Sequence, residues 1–453
     1  MKLLLIYPSA IRDMPRALPR NYDKEARTHL PPLGLLYLAS YMRDQGHSVH
    51  VVDMKVQEQA PKDIIPVLEN FQPDLIGISC ITVNFLSVLD LINTIKRYKD
   101  IPLVLGGPSP TLYPKETLQH KGIDYIICGS GQVPLGELCN QLEAGKSGID
   151  ISNCYSPGHL SSNICPPKLT NPDNFPFPDR TALSIDSYSL PLCPENPTTS
   201  MISSIGCCFK CRFCDCKNNS PMRLRLPENV VREMEQVQQL NIRSIMFQDD
   251  LFTISSKRVE KLCNLIIERG LDLHWSVKSR IDCIEPLLLK LMKEAGCFNI
   301  HFGIESGNDK TLVRMNKGIT TEQIRAVVQD TKDAGLSVTG NFMLGYPGEN
   351  KEDVENTIAF AEELQLNISQ FSITMDAPGT ELYAEAISVG RRTSDVYQDF
   401  ILNPETTDIT DLFSSNLLDK ETLLELMQQA YSRTRTLYSR EKTIEIIKGL
   451  SNE

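Results

Sequence analysis

No stretch of this 453-residue chain approaches the ~20 apolar residues that cross a bilayer. The start, residues 1–8, is apolar only briefly and lacks the longer apolar region and small-residue cleavage site of a signal peptide. Basic tracts are missing as well. The net charge is −11, from 46 Lys+Arg against 57 Asp+Glu, which argues against nucleic acid as a partner. Together these absences predict a soluble, cytoplasmic protein with no membrane span. An apolar content of 41% suffices for ordinary cores, and the length suggests two or three domains.

Cysteine, by contrast, is plentiful. Fourteen in a chain of this kind favour metal or redox chemistry over disulfides. Five fall within residues 207–216, beside Lys210, Arg212 and Lys217. Neighbouring positive charge lowers thiol pKa values. Cys207, Cys211 and Cys214 are spaced x3 and then x2. Three thiolates at that spacing can hold three corners of one metal cluster and leave the fourth open, whereas a structural cluster normally has four. A zinc site completed by Cys208 or Cys216 is an alternative. Inert burial is another, and it suits Cys80, Cys128, Cys263 and Cys297, which lie in apolar surroundings.

The three-cysteine run, with Phe213 just before the last cysteine, resembles the signature of radical S-adenosylmethionine enzymes. The resemblance implies a 4Fe-4S cluster on Cys207, Cys211 and Cys214, whose open iron chelates the amino and carboxylate groups of S-adenosylmethionine. It also implies an electron donor such as flavodoxin or ferredoxin, and a 5′-deoxyadenosyl radical that takes hydrogen from a small-molecule substrate. Cys208 stands where proline is common in that family. Cys216 is also unusual there and is a candidate for hydrogen or proton transfer.

Residues 1–145 alternate short apolar runs (3–7, 49–53, 75–79, 103–105, 125–128) with amphipathic segments (33–45, 62–71, 85–99, 133–142). That alternation predicts an α/β domain with a doubly wound parallel sheet, which binds ligands at the carboxyl ends of its strands. Gly106 and Gly107 lie at one such end, either as ordinary turn residues or where backbone meets ligand. The runs Pro31-Pro-Leu-Gly-Leu-Leu-Tyr-Leu-Ala39, Gly46-His-Ser-Val with Asp53, Pro73-Asp-Leu-Ile-Gly-Ile-Ser79 and Gly106-Gly107-Pro108 resemble the cobalamin-binding domain that precedes many radical S-adenosylmethionine cores. None of the seven histidines occurs in the Asp-x-His-x-x-Gly pattern of His-ligated cobalamin domains. The resemblance therefore implies either a cobalamin without a protein His ligand or a retained scaffold. Residues 9–30 read as a long irregular insertion with Arg12, Arg16, Arg20 and Arg27, a solvated loop or a flap offering guanidinium groups to an anion.

Residues 146–197 carry nine of the 28 prolines and read as a proline-rich linker. From 198 to 385 a strand–loop–helix pattern returns. Strands are expected at 200–205, 244–248, 273–277, 299–304, 337–344 and 370–374, and helices at 227–240, 256–269, 286–295, 321–334 and 351–364. Six such units predict a partial (β/α)6 barrel with its chemistry at the carboxyl ends of the strands. There the sequence places Gln248-Asp249-Asp250, Lys278 and Arg280, Glu305-Ser306-Gly307 and Gly345. A guanidinium such as Arg280 suits a carboxylate, and Glu305 suits a ribose or ammonium. Gly345 and the backbone near Phe213 suit a close approach to the adenine, and the family resemblance implies Arg280, Glu305 and Ser306 as S-adenosylmethionine contacts. Residues 386–453 read as a short, mostly helical C-terminal region with a helix at 420–439.

Two outcomes of the radical chemistry remain open on these residues. One is cobalamin-dependent C-methylation in specialised metabolism. The other is cobalamin-independent dehydration, epimerisation or rearrangement of a sugar or aminoglycoside, with the first domain as scaffold. In either case the substrate is expected between the strand ends of the two domains.

Overall fold

The computed structural model describes residues 1–9, 30–146, 150–159, 171–190, 193–216, 222–392, 394–407 and 413–434. The segment with Arg12, Arg16, Arg20 and Arg27 lies outside them, as do residues 435–439 of the expected last helix. The chain divides into two compact units. The first comprises Met1–Pro15, Pro31–Ser187 and Ser394–Thr410, and the second Arg16–Leu30, Tyr188–Thr393 and Asp411–Glu453.

In the first unit the elements run β1 (Lys2–Tyr7), α1 (Leu33–Asp44), β2 (Ser48–Asp53), α2 (Ile65–Phe71), β3 (Leu75–Ser79), α3 (Phe85–Tyr98), β4 (Leu103–Gly106), α4 (Pro108–Leu112), α5 (Pro114–Thr117), β5 (Tyr125–Ile127), α6 (Gln132–Glu143) and β6 (Cys154–Tyr155). The sheet order is β2-β1-β3-β4-β5-β6. Strands β1 to β5 pair in parallel, and β6 joins β5 antiparallel. This is a doubly wound order with its topological switch between β1 and β3. Leu3 and Leu5 pack with α1 and α6, while Leu4 and Ile6 are buried on the opposite face. Both faces are covered, so the strands are apolar throughout.

Of the proline-rich stretch, the described residues 150–159 and 171–187 belong to this unit. Phe175 meets Tyr41 edge-on at 5.5 Å, and Asp179 pairs with Arg43. Directly after Gly107, α4 begins, because Pro108 at the first helical position has its φ preset and needs no N–H partner.

The second unit opens with β7 (Thr198–Met201), β8 (Ser204–Ile205), β9 (Arg223–Leu224), α7 (Pro227–Gln239), β10 (Ser244–Phe247), α8 (Ser256–Glu268), β11 (His274–Ser279), α9 (Pro286–Glu294), β12 (Cys297–Glu305) and α10 (Asp309–Arg314). It continues with α11 (Thr321–Asp333), β13 (Ser337–Leu344), α12 (Lys351–Glu363), β14 (Ile368–Ile373) and α13 (Glu381–Ser388). After α14 (Val396–Leu402), which belongs to the first unit, α15 (Lys420–Arg433) completes it. Six parallel strands in the order β14-β13-β12-β11-β10-β7 form the partial barrel. The expected first barrel strand, 200–205, is instead two pieces. β7 ends at Met201, and β8 pairs antiparallel with β9 in a separate ribbon. The break comes where Asp249 draws Ser203 and Ser204 out of line.

Candidate functional site

The loop of cysteines is pegged from several sides. Asp249, fully buried at the end of β10, accepts from Ser203 N at 2.6 Å, Ser203 Oγ at 2.5 Å and Ser204 Oγ at 2.7 Å. Burial nevertheless pushes its carboxyl pKa up. Asp250 Oδ2 accepts from Gly206 N at 2.9 Å. Further along, Arg212 N donates to Met315 O at 3.0 Å and Leu382 N to Arg212 O at 2.9 Å. The Arg212 guanidinium pairs with Glu381 and Glu385 of α13. Phe213 packs on Met315, Tyr346 and Leu382. Both aspartates flagged by the sequence thus shape the approach to the cysteines.

Cys211 is buried, while Cys207 and Cys214 are half-buried. Burial raises the Cys207 thiol pKa. A hydrogen bond with Cys216 holds the Cys214 thiol down at about 7. The ligand atoms of Cys214, Asp215 and Cys216 all lie within 4.8 Å of one another, and Cys207 and Cys211 do not join that group. Cys208 is exposed. Cys80, Cys128, Cys263 and Cys297 are buried, and burial pushes Cys128 and Cys263 up to about 12.

Arg280, just past β11, forks onto Asp282 with two bonds of 2.9 Å. It also donates to Lys317 O at 2.5 Å and to Cys211 Sγ at 3.3 Å, and its guanidinium lies 3.7 Å from the Phe209 ring centroid. Its donors thus hold the cysteine loop. Glu305, in a left-handed conformation at φ 69° at the end of β12, accepts from Lys317 Nζ at 2.8 Å. Lys317 also lies over the Phe213 ring, 5.8 Å from its centroid. Ser306 is fully buried, with its Oγ 3.1 Å from Thr357 Oγ1 and accepting from Asn308 N at 3.2 Å. Gly345, at φ +76°, has a packing reason, since a Cβ there would stand 2.6 Å from Leu423 of α15. Lys317, Asp282 and Met315 carry no spacing signal in the sequence, because long-range contacts alone bring them to the loop.

In the first unit Gly107 has φ +107°, and a Cβ there would stand 2.6 Å from Cys80 O. Gly106 next to it faces open space. Ser109 Oγ is buried without a hydrogen-bond partner among the described residues. This strand end offers room and an unused hydroxyl to a bound group. No histidine follows β1, β3, β4 or β5 at residues 8–9, 80–84, 107–109 or 128–131.

Comparison with known proteins identifies the family of both parts of the chain. The profile of the radical SAM superfamily matches residues 201–361, and that of the B12 binding domain matches residues 22–139. An uncharacterised methyltransferase of Pyrococcus horikoshii is 32% identical over 395 residues, covering 86% of this chain and 83% of that protein. The anaerobic magnesium-protoporphyrin IX monomethyl ester cyclase of Rubrivivax gelatinosus is 26% identical over 403 residues, covering 85% of this chain and 70% of its own. Among solved structures, the radical S-adenosylmethionine methyltransferase TsrM of Kitasatospora setae, with cobalamin and a [4Fe-4S] cluster bound, superposes with a TM-score of 0.70 at 18% identity, covering 96% of this chain and 88% of that one.

Proposed function

The chain belongs to the radical S-adenosylmethionine superfamily, among members with a B12 binding domain, and on that premise we propose that it is a cobalamin-dependent radical methyltransferase of a small molecule. The observation that carries the reading is the three-thiol loop, held open-sided at the barrel's strand ends, in the same chain as a B12-type sheet with free space at Gly106.

Cys207, Cys211 and Cys214 would hold the cluster. When bound, cluster and cobalamin supply an electron for cleaving S-adenosylmethionine and a methyl group for transfer. The chain's own residues do the positioning. Arg280 fixes the Cys211 sulfur and ties it through Asp282 and Lys317 to the ends of β11 and β12. Glu305 offers a carboxylate to the ammonium or ribose of S-adenosylmethionine, and Lys317 aims that carboxylate. Asp250 and Arg212 anchor the two ends of the loop. The sequence lacks the Asp-x-His-x-x-Gly pattern of His-ligated cobalamin domains, so cobalamin would bind without a His ligand of that kind. A flavodoxin- or ferredoxin-type donor would supply electrons. No helix among the described residues is long and apolar enough to cross a membrane. The second reading is radical chemistry other than methylation with the first domain as scaffold; the relationship to a cyclase, whose name does not denote methyl transfer, supports the non-methylating outcome.

The test is the absorbance spectrum of anaerobically reconstituted protein with and without cobalamin, read with 5′-deoxyadenosine release. Corrin bands that survive desalting at about one equivalent are expected. Their loss with release retained would favour the second reading. In Cys211→Ala, iron content and 5′-deoxyadenosine release should both collapse, and retained release would defeat the cluster assignment.

A further inference from the structure

The inner face of the barrel carries a cation that the chemistry above does not use. Trp275 and Val277 of β11, with Ile300, Phe302 and Ile304 of β12, are fully buried toward the helices. Alternation along a strand therefore sends Ser276, Lys278, Asn299, His301 and Gly303 to the opposite face. Lys278 and His301 are register partners on neighbouring parallel strands, which lie about 4.8 Å apart. Lys278 Nζ donates to Gln248 Oε1 at 3.2 Å and forms no ion pair among the described residues. Buried cations nearby are matched, Arg280 with Asp282, Lys317 with Glu305 and Arg225 with Glu233. Beside Lys278, His301 Nε2 and Ser276 Oγ are buried without a hydrogen-bond partner among the described residues. Burial first, and then Lys278, push the His301 pKa down to about 4, so the imidazole is neutral near pH 7 and brings hydrogen-bonding capacity without a second charge.

An ammonium drawn partly out of water with only an amide oxygen beside it is poorly compensated, and so are two buried polar atoms without partners. A single anionic group beside this register pair would match the ammonium and give the imidazole a partner. We propose that Lys278 and His301 form the seat for an anionic group of the substrate, a carboxylate or a phosphate, with Gln248 holding the ammonium in place. The anion accepts from Lys278 Nζ and from the Nε2–H tautomer of His301. The word substrate here rests on the radical-enzyme reading, whereas the anion site itself does not. S-adenosylmethionine also carries a carboxylate, but in this family that group goes to the cluster. Lys278 also lies two residues, roughly 6.6 Å along the strand, short of Arg280, which touches the cysteine loop.

The test uses reconstituted holoenzyme and inorganic phosphate and acetate as probes, against chloride at equal ionic strength. A saturable rise of several degrees in melting temperature is expected in the wild type with at least one of the two anions, and none in Lys278→Met. In chloride, Lys278→Met should melt at or above the wild type, because it removes an unmatched charge. His301→Phe serves as the second variant and should weaken the anion response at least several-fold. A response that persists in both variants, or a wild type without one, overturns the site. Its ligand is separated from S-adenosylmethionine by the electron paramagnetic resonance of the reduced wild-type cluster. The perturbation caused by S-adenosylmethionine should persist in saturating phosphate, and its loss there would reassign the site to the cofactor's carboxylate. If S-adenosylmethionine causes no perturbation even without phosphate, the radical-enzyme reading fails while the melting series still decides the anion site.

Discussion

On the proposed reading, Arg280 serves the cofactor by holding the cysteine loop. Its fork is closed on Asp282, and its remaining donors go to Lys317 O and Cys211 Sγ. Charged hydrogen bonds are worth about 1.5–3 kcal/mol each. Arg280→Lys breaks the fork, so iron should leave the protein faster under a chelator, with S-adenosylmethionine binding weakened roughly tenfold as a consequence. Wild-type iron retention with weakened binding would mean that Arg280 contacts S-adenosylmethionine directly. His301 supplies a second prediction at this scale. Its pKa falls from 6.5 to about 4 on folding, chiefly through burial. Between those values the unfolded chain binds more protons than the folded one, so stability rises with pH across the window and is lost as pH falls toward 4. The slope from this group approaches about 1.4 kcal/mol per pH unit. His301→Gln should flatten the acid side of a melting-temperature profile between pH 6.5 and 4, and an unchanged profile would show that the imidazole is not desolvated.

Strand ends are where element geometry decides which residues are available to chemistry. Gly106 and Gly107 are adjacent, yet only Gly107 has a left-handed φ and the Cys80 backbone against it. Backbone cannot yield as a side chain can, so Gly107→Ala should destabilise the first unit by more than the ~1–3 kcal/mol typical of overpacking, measured by chemical denaturation. Gly106→Ala should fold like the wild type, and a larger loss at Gly106 than at Gly107 would refute this geometry. The strands of both sheets were legible in the sequence because each is a short apolar run between helices of matching period, as with 75–79 and 337–344. The break after Met201 was not, since it depends on Asp249, 46 residues away from Ser203. The cysteine spacing marked the loop that is proposed to hold the cluster. Lys317 and His301 gave no such sign, the one being brought in by the turn after α10 and the other resembling any polar residue in a strand.

At the scale of the molecule, the chain closes its first unit late. Helix α14 lies on α5 and α3. Tyr113 Oη is 3.1 Å from Asp395 Oδ1, Gln398 Nε2 donates to Glu116 Oε1 at 2.6 Å, and Phe400 meets Phe85 at 6.3 Å between ring centroids. Phe400 is 2% exposed. Phe400→Ala should therefore cost about 3–5 kcal/mol in the first unit. A two-phase melt in which only the second unit's transition moves would contradict this packing. The interleaving has a further consequence for biosynthesis. On the ribosome, residues 31–187 emerge without the helix that covers Phe85, and the entire run from Tyr188 to Thr393 must be translated before that helix arrives. The first-made part of the protein waits through about two hundred codons for its last piece, some 10–40 s at ordinary elongation rates. It is in that interval, rather than in the finished enzyme, that its exposed aromatic surface invites a chaperone.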